Sequence, residues 1–63
     1  MGLKAAFVFV APEADPAQHR TVVATPVVEL AVVGVKNYAE AVAECTKLVE
    51  QGTVALELCA GFG

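Results

Sequence analysis

The feature that most constrains the fold is a capped helical segment that lies between two apolar segments. Val27–Val35 and Thr53–Cys59 are apolar almost throughout. Between them, Asn37 with Glu40 three residues later forms a capping-box pattern, and Gly52 is typical of a helix end. This order predicts a βαβ unit, with a helix over about residues 37–52 and parallel strands joined by a right-handed crossover.

The predicted helix carries an apolar stripe that should pack on the sheet. The spacing of its members follows the period of an α-helix. They are Tyr38, Ala41, Val42, Cys45, Leu48 and Val49. Charged residues, Glu44 among them, should occupy the opposite, solvated face. We therefore expect Val42→Asp to unfold the protein by burying an unpaired charge.

The first half of the chain adds one more predicted strand and a short helix. Leu3–Ala11 is apolar except for one lysine, which is typical of a strand buried on both faces. Asp15 before a proline predicts a helix from Pro16 to about Ala24, which Thr25-Pro26 would end. The fold class predicted is α/β, with a small three-stranded, mainly parallel sheet that resembles half of a flavodoxin-like sandwich.

The composition bounds the size of the fold and suggests self-association. The chain of 63 residues forms a single α/β domain over 1–63, and 57% of its residues are hydrophobic. The mean hydropathy is +0.65. A domain this small has too little interior for so much apolar surface. We therefore expect a homo-oligomer, in which a second copy covers the excess.

Charge and cysteine content argue against several classes of partner. The net charge is −3 with four Lys or Arg residues, so no basic face for nucleic acid or anionic membranes can be formed. No apolar run reaches the roughly 18 to 20 residues of a spanning helix. Cys45 and Cys59 lack the spacing of a metal or redox motif and are predicted to be reduced thiols in a cytoplasmic protein. No metal site and no cofactor is predicted.

Polar and glycine residues gather where the predicted parallel strands end, and this edge is the usual ligand site of an open α/β sheet. Backbone amides of a Gly-x-Gly turn could bind a small anion, with cationic side chains balancing its charge. The predicted ligand-binding residues are Gly61, Gly63, Arg20 and Lys36. A plain turn is the alternative interpretation of the glycines.

Three residues are candidates for catalysis, and each also has a structural interpretation. Glu57 is an acid or base candidate if its strand is buried, and a solvated side chain if its strand lies at an edge. His19 could shuttle protons or simply lie on the surface. Cys59 could be a nucleophile beside the glycine turn or a packed thiol. Glu13 and Asp15 could bind a cation, or form a solvated loop with a helix cap.

Several segments together resemble a family of short bacterial proteins that is known only as a domain of unknown function. They are Leu3–Phe7, Ala11–Pro16, His19-Arg20, Val33–Tyr38, Glu57–Cys59 and Gly61–Gly63. The resemblance covers nearly the whole chain and implies a small cytosolic α/β protein, without an activity. It also implies that members continue with another helix and strand, so the chain is expected to be truncated at its C-terminus.

Two classes of function follow from these observations. The first is a self-associating domain or one that binds a small anionic ligand. The alternative is a small enzyme or enzyme subunit that uses Glu57 together with His19 or Cys59. A buried Glu57 beside a pocket would favour the enzyme, and an apolar surface shared between copies would favour the interaction domain.

Overall fold

The computed structural model describes residues 2–62, which form a mixed four-stranded sheet with one helix. In chain order the elements are β1 (Leu3–Val10), β2 (Arg20–Ala24), β3 (Val28–Val35), α1 (Tyr38–Glu50) and β4 (Ala55–Cys59). The strand order is β2-β3-β1-β4, with β1 parallel to both β3 and β4 and with β2 antiparallel to β3. The α/β class is therefore confirmed, and α1 joins the parallel strands β3 and β4, which lie on either side of β1. The prediction of a three-stranded, mainly parallel, flavodoxin-like sheet is not confirmed, because the sheet is mixed and has four strands.

The additional strand is β2, and it replaces the helix predicted from Pro16 to Ala24. Residues 15–19 form only a turn, in which the Gln18 and His19 amides donate to the Asp15 carbonyl at 3.0 and 2.7 Å. A tight turn then joins β2 to β3, because the Thr25 hydroxyl accepts from the amide of Val28 at 2.9 Å. The prediction failed because the β-branched run within β2 finds a full antiparallel partner in β3, which outweighs the local helix-start signal.

Both ends of α1 are formed as their sequence signals indicate. The Asn37 side chain accepts from the Glu40 amide at 2.8 Å, and Glu40 in turn accepts from the Lys36 amide at 3.0 Å. At the other end Gly52 has a φ of 103°, and the Thr53 amide donates to the Leu48 carbonyl at 3.0 Å. This is the Schellman arrangement, in which a glycine with positive φ turns the chain out of the helix.

The face that α1 packs on the sheet differs from the predicted stripe. Ala41, Leu48 and the carboxylate-bearing Glu44 are buried, and Cys45 is half-buried. The remaining members of the stripe are 56–66% exposed: Tyr38, Val42 and Val49. Compared with the predicted stripe, the packed face is shifted toward Glu44, whose carboxylate lies 3.3 Å from Arg20. The expectation that Val42→Asp unfolds the protein is therefore wrong, since the new charge would stay in solvent.

The sheet has one face covered by α1 and one face that no described element covers. On the helix face, the fully buried side chains of Val8, Val33 and Val35 form the centre of the core. We call the other side the open face. Alternation along the paired strands assigns its members. They are Leu3, Ala5, Phe7 and Phe9 of β1, Val28, Leu30, Val32 and Gly34 of β3, Thr21 and Val23 of β2, and Ala55, Glu57 and Cys59 of β4.

Candidate functional site

The carboxyl ends of the three parallel strands meet at one edge of the sheet, as predicted. Val10, Val35 and Cys59 end β1, β3 and β4 there. Because β2 runs in the opposite direction, it begins at this edge with Arg20, which pairs with Val33. The loop before β2, the start of α1 and the segment after β4 therefore all flank the edge where the ligand site was predicted.

The two cationic side chains predicted to bind an anion are each paired with a carboxylate. Arg20 Nη1 lies 3.3 Å from Glu44 Oε1 and donates to the Pro16 carbonyl at 3.1 Å. Lys36 Nζ lies 3.6 Å from Glu40 Oε2, in an exposed pair on the first turn of α1. An anion would have to compete with these carboxylates, and the Glu44 side chain is only 7% exposed.

The predicted Gly-x-Gly turn lies in the segment that follows β4. Gly61 is exposed and lies after β4, next to Phe62, whose ring meets the Phe9 ring edge-on at a centroid distance of 6.1 Å. Gly63 lies outside the described residues. The contact between the two rings holds the chain after β4 against the open face.

The three catalytic candidates are not brought together. His19 precedes β2, whereas Glu57 and Cys59 lie in β4, at the opposite edge of the four-stranded sheet. Three strand spacings of about 4.8 Å separate β2 from β4, which places His19 about 14 Å away from that strand. Glu57 is exposed on this edge strand, in agreement with the solvated interpretation. General base catalysis by His19 on Cys59 requires hydrogen-bond reach, which this spacing does not provide.

The loop between β1 and β2 is held by its own hydrogen bonds. The Asp15 carboxylate accepts from the Ala17 amide at 2.9 Å, and the Asp15 amide donates to Nδ1 of His19 at 2.8 Å. Earlier in the loop, Glu13 has a φ of 66°, the left-handed conformation that favours glycine. Asp15 therefore caps a turn, where the sequence predicted a helix cap. Within residues 2–62, no group of three or more His, Cys, Asp or Glu side chains is placed to hold a metal ion.

A recess of about 270 Å³ opens at this edge on the open face. Its lining residues are Phe9, His19, Arg20, Thr21 and Val32. The Phe9 ring lies directly over Gly34, where an added Cβ would come within 2.6 Å of the ring. The recess was not predicted from the sequence, because its lining is mostly apolar and contains neither a cluster of charges nor a glycine turn. A glycine within a strand is the signal that could have indicated it, since glycine there often marks close approach by another group.

A second apolar surface lies beside the helix, and we call it the shoulder. On a helical wheel the exposed side chains of Tyr38, Val42 and Val49 lie on the flank of α1 opposite Glu44, on the side of β4. Leu56 and Leu58 of β4, which are 38% and 49% exposed, lie on the same helix face of the sheet. The shoulder remains exposed because α1 packs over β1 and β3 and leaves β4 uncovered.

No helix within residues 2–62 has the length and apolar character needed to cross a membrane.

The comparisons with known proteins place the chain in a family without assigning it an activity. No curated protein and no solved structure matches the chain. The family model described as "Family of unknown function (DUF6506)" matches residues 3–63, so the chain belongs to that family.

Proposed function

We propose that this protein is a self-associating domain, and that two copies meet through the open face of the sheet. The observation that carries the proposal is that this face is apolar and that no helix or strand within residues 2–62 covers it, although Phe62 contacts it at Phe9. Leu3 and Val23 on this face are 49% and 54% exposed, and Phe7 and Phe9 are half-buried at its centre. Covering such side chains contributes about 25 cal/mol for each Å² of apolar surface removed from water.

A second copy fits this face better than a charged partner does. Glu57 is the one charged member of the open face, and it lies in the edge strand β4. A two-fold axis brings the same surface of each copy together, so an apolar face is complementary to itself. Two sheets in contact would pack about 10 Å apart, as the layers of a β-sandwich do.

The size of the face sets the expected strength of pairing. A rise of about 3.3 Å per residue and a spacing of about 4.8 Å between strands give the sheet a mean plane of roughly 400 Å². Two copies would then cover about 800 Å² of mean plane; because the accessible surface follows the projecting side chains and is larger, the buried area would lie near the roughly 1,200 Å² lower end of stable complexes. The association is therefore weak and depends on protein concentration.

Anion binding and catalysis have less support from the geometry. The cations at the carboxyl edge, Arg20 and Lys36, already have carboxylate partners. The candidate proton shuttle His19 lies at the opposite side of the sheet from Glu57 and Cys59, and the candidate acid or base Glu57 is exposed in the edge strand β4. No observation on the described residues favours either function over self-association.

Two adjacent residues of β2 offer a matched test. Val22 and Val23 are both 54% exposed, but Val23 lies on the open face and Val22 on the helix face. Sedimentation velocity is measured from about 10 µM to about 1 mM, the range in which weak complexes dissociate. Wild type and Val22→Asp should both associate as concentration rises, whereas Val23→Asp should remain a monomer because the charge would be buried without a partner.

A third variant separates the open face from the shoulder. Val42→Asp places the same charge on the exposed flank of α1 and should leave the association unchanged. Circular dichroism confirms that each variant is folded. A monomeric wild type over the whole range, or dissociation by Val42→Asp but not by Val23→Asp, would contradict the proposed interface.

A further inference from the structure

We infer that the recess on the open face is a binding site for a small ring compound that carries one hydrogen-bond-accepting group. The site goes beyond self-association, because its lining comes from a single chain: Phe9, His19, Arg20, Thr21 and Val32. Its volume of about 270 Å³ is that of about nine water molecules at roughly 30 Å³ each, enough for a substituted six-membered ring.

The apolar part of the site follows from the neighbouring strands. Gly34 lets the Phe9 ring lie against β3, and Phe62 holds that ring from the side. Next to this ring, Val32 of β3 pairs with Thr21 of β2, so the two side chains share the open face. An aromatic ring and a branched aliphatic side chain together form a surface that a flat apolar group can contact on one side.

The polar part of the site consists of two hydrogen-bond donors. His19 accepts the Asp15 amide proton at Nδ1, which leaves Nε2 as the nitrogen that can donate. Within residues 2–62 this Nε2–H has no hydrogen-bond partner, and neither does the Thr21 hydroxyl. Both belong to residues that line the recess. They would donate to a carbonyl oxygen on the ligand.

The charges around the recess favour an uncharged acceptor. Arg20 contributes to the lining, but its guanidinium is bonded to Glu44 on the helix face of the sheet. The positive charge nearest the recess is thus compensated. The ligand class is a compact ring with a carbonyl or amide group, not a phosphate or another multiply charged anion.

Benzamide is a suitable probe, because it joins an aromatic ring to an amide carbonyl, and acetamide is the control that lacks the ring. Amide shifts in two-dimensional NMR are followed while each compound is added to the full chain. Saturable shifts at Thr21, Val32 and His19 with benzamide, and none with acetamide, are expected. Shifts that do not saturate, or that map away from these residues, would overturn the inference.

Two substitutions of the same chemistry test the role of the hydroxyl. Thr21→Val removes the donor at constant shape and should weaken benzamide binding by about 2-fold to 13-fold, the range expected for one hydrogen bond. Thr46→Val makes the same change on α1, where the hydroxyl donates to the Val42 carbonyl at 2.8 Å, and should not alter the affinity. Equal affinities for Thr21→Val and wild type would refute the proposed contact.

The titration is repeated on Val23→Asp, because the recess lies on the open face that a second copy would cover. Val23 does not line the recess. Benzamide should therefore bind Val23→Asp at least as tightly as wild type, and its affinity for wild type should fall as protein concentration rises if the copies pair through this face. Binding by wild type but not by Val23→Asp would overturn a site built by one chain, whatever the sedimentation experiment shows.

Discussion

Replacing Gly34 by alanine tests whether the Phe9 ring lies as closely on the sheet as the structure indicates. The two residues are neighbours across the parallel strands β1 and β3. An added Cβ would lie 2.6 Å from Cζ and 2.9 Å from Cε2 of the ring. Ordinary van der Waals contact begins near 3.5 Å, so the ring must move by about 1 Å or rotate away.

Two opposing effects determine how much Gly34→Ala changes the free energy of unfolding. Overpacking costs about 1–3 kcal/mol, and a ring that rotates away instead loses about 0.5–1.5 kcal/mol of its contact with Phe62. Alanine also restricts the unfolded chain, which stabilises the fold by about 0.4–1 kcal/mol. The net expectation is that Gly34→Ala lowers the free energy of unfolding by about 1 kcal/mol. This is a large share of the 3–5 kcal/mol available to a domain of this size.

A double-mutant cycle identifies the ring as the cause. Urea unfolding is followed by circular dichroism at one fixed protein concentration, because association would change the apparent stability. In a Phe9→Ala background, Gly34→Ala should become neutral or slightly stabilising, since the obstructing ring is gone. An equal loss of stability in both backgrounds, or a more stable Gly34→Ala in the wild-type background, would refute the close approach of Phe9 to the sheet.

Three further substitutions test the described contacts by urea unfolding. Glu44→Ala should lower the free energy of unfolding by about 1–2 kcal/mol, because it removes the carboxylate partner of Arg20, whose side chain is 43% exposed. Glu50→Ala, at an exposed position of the same helix, is the control. Equal effects of the two substitutions would refute a structural role for the Glu44–Arg20 pair. Glu13→Gly should raise the free energy of unfolding by about 0.5–1 kcal/mol, because the φ of 66° is unfavourable for an L-residue; a loss of stability would contradict that backbone conformation. Val42→Asp should change the free energy of unfolding by less than about 0.5 kcal/mol, because Val42 is 66% exposed. Unfolding of this variant would instead support the helix orientation predicted from the sequence, in which Val42 packs on the sheet.

The elements that could be predicted from the sequence are those whose causes are local. The helix begins at Asn37 because its side chain satisfies the Glu40 amide, and it ends at Gly52 because glycine adopts a positive φ there. Continuous runs of apolar residues likewise indicated β1, β3 and β4 to within a few residues. The meeting of the strand ends at one edge follows from the parallel pairing, so the region of the candidate site was also predictable.

The remaining features depend on partners that lie far away along the chain. Arg20–Ala24 is a strand because β3 supplies its hydrogen bonds, and that pairing leaves no periodic signal in five residues. The packed face of α1 includes Glu44, whose partner Arg20 lies 24 residues away along the chain. Glu57 is exposed because β4 lies at the edge of the sheet. Local sequence determines where the backbone can form a helix or a strand, but strand order and helix orientation are decided only when distant side chains compete for the same hydrogen bonds and the same buried space.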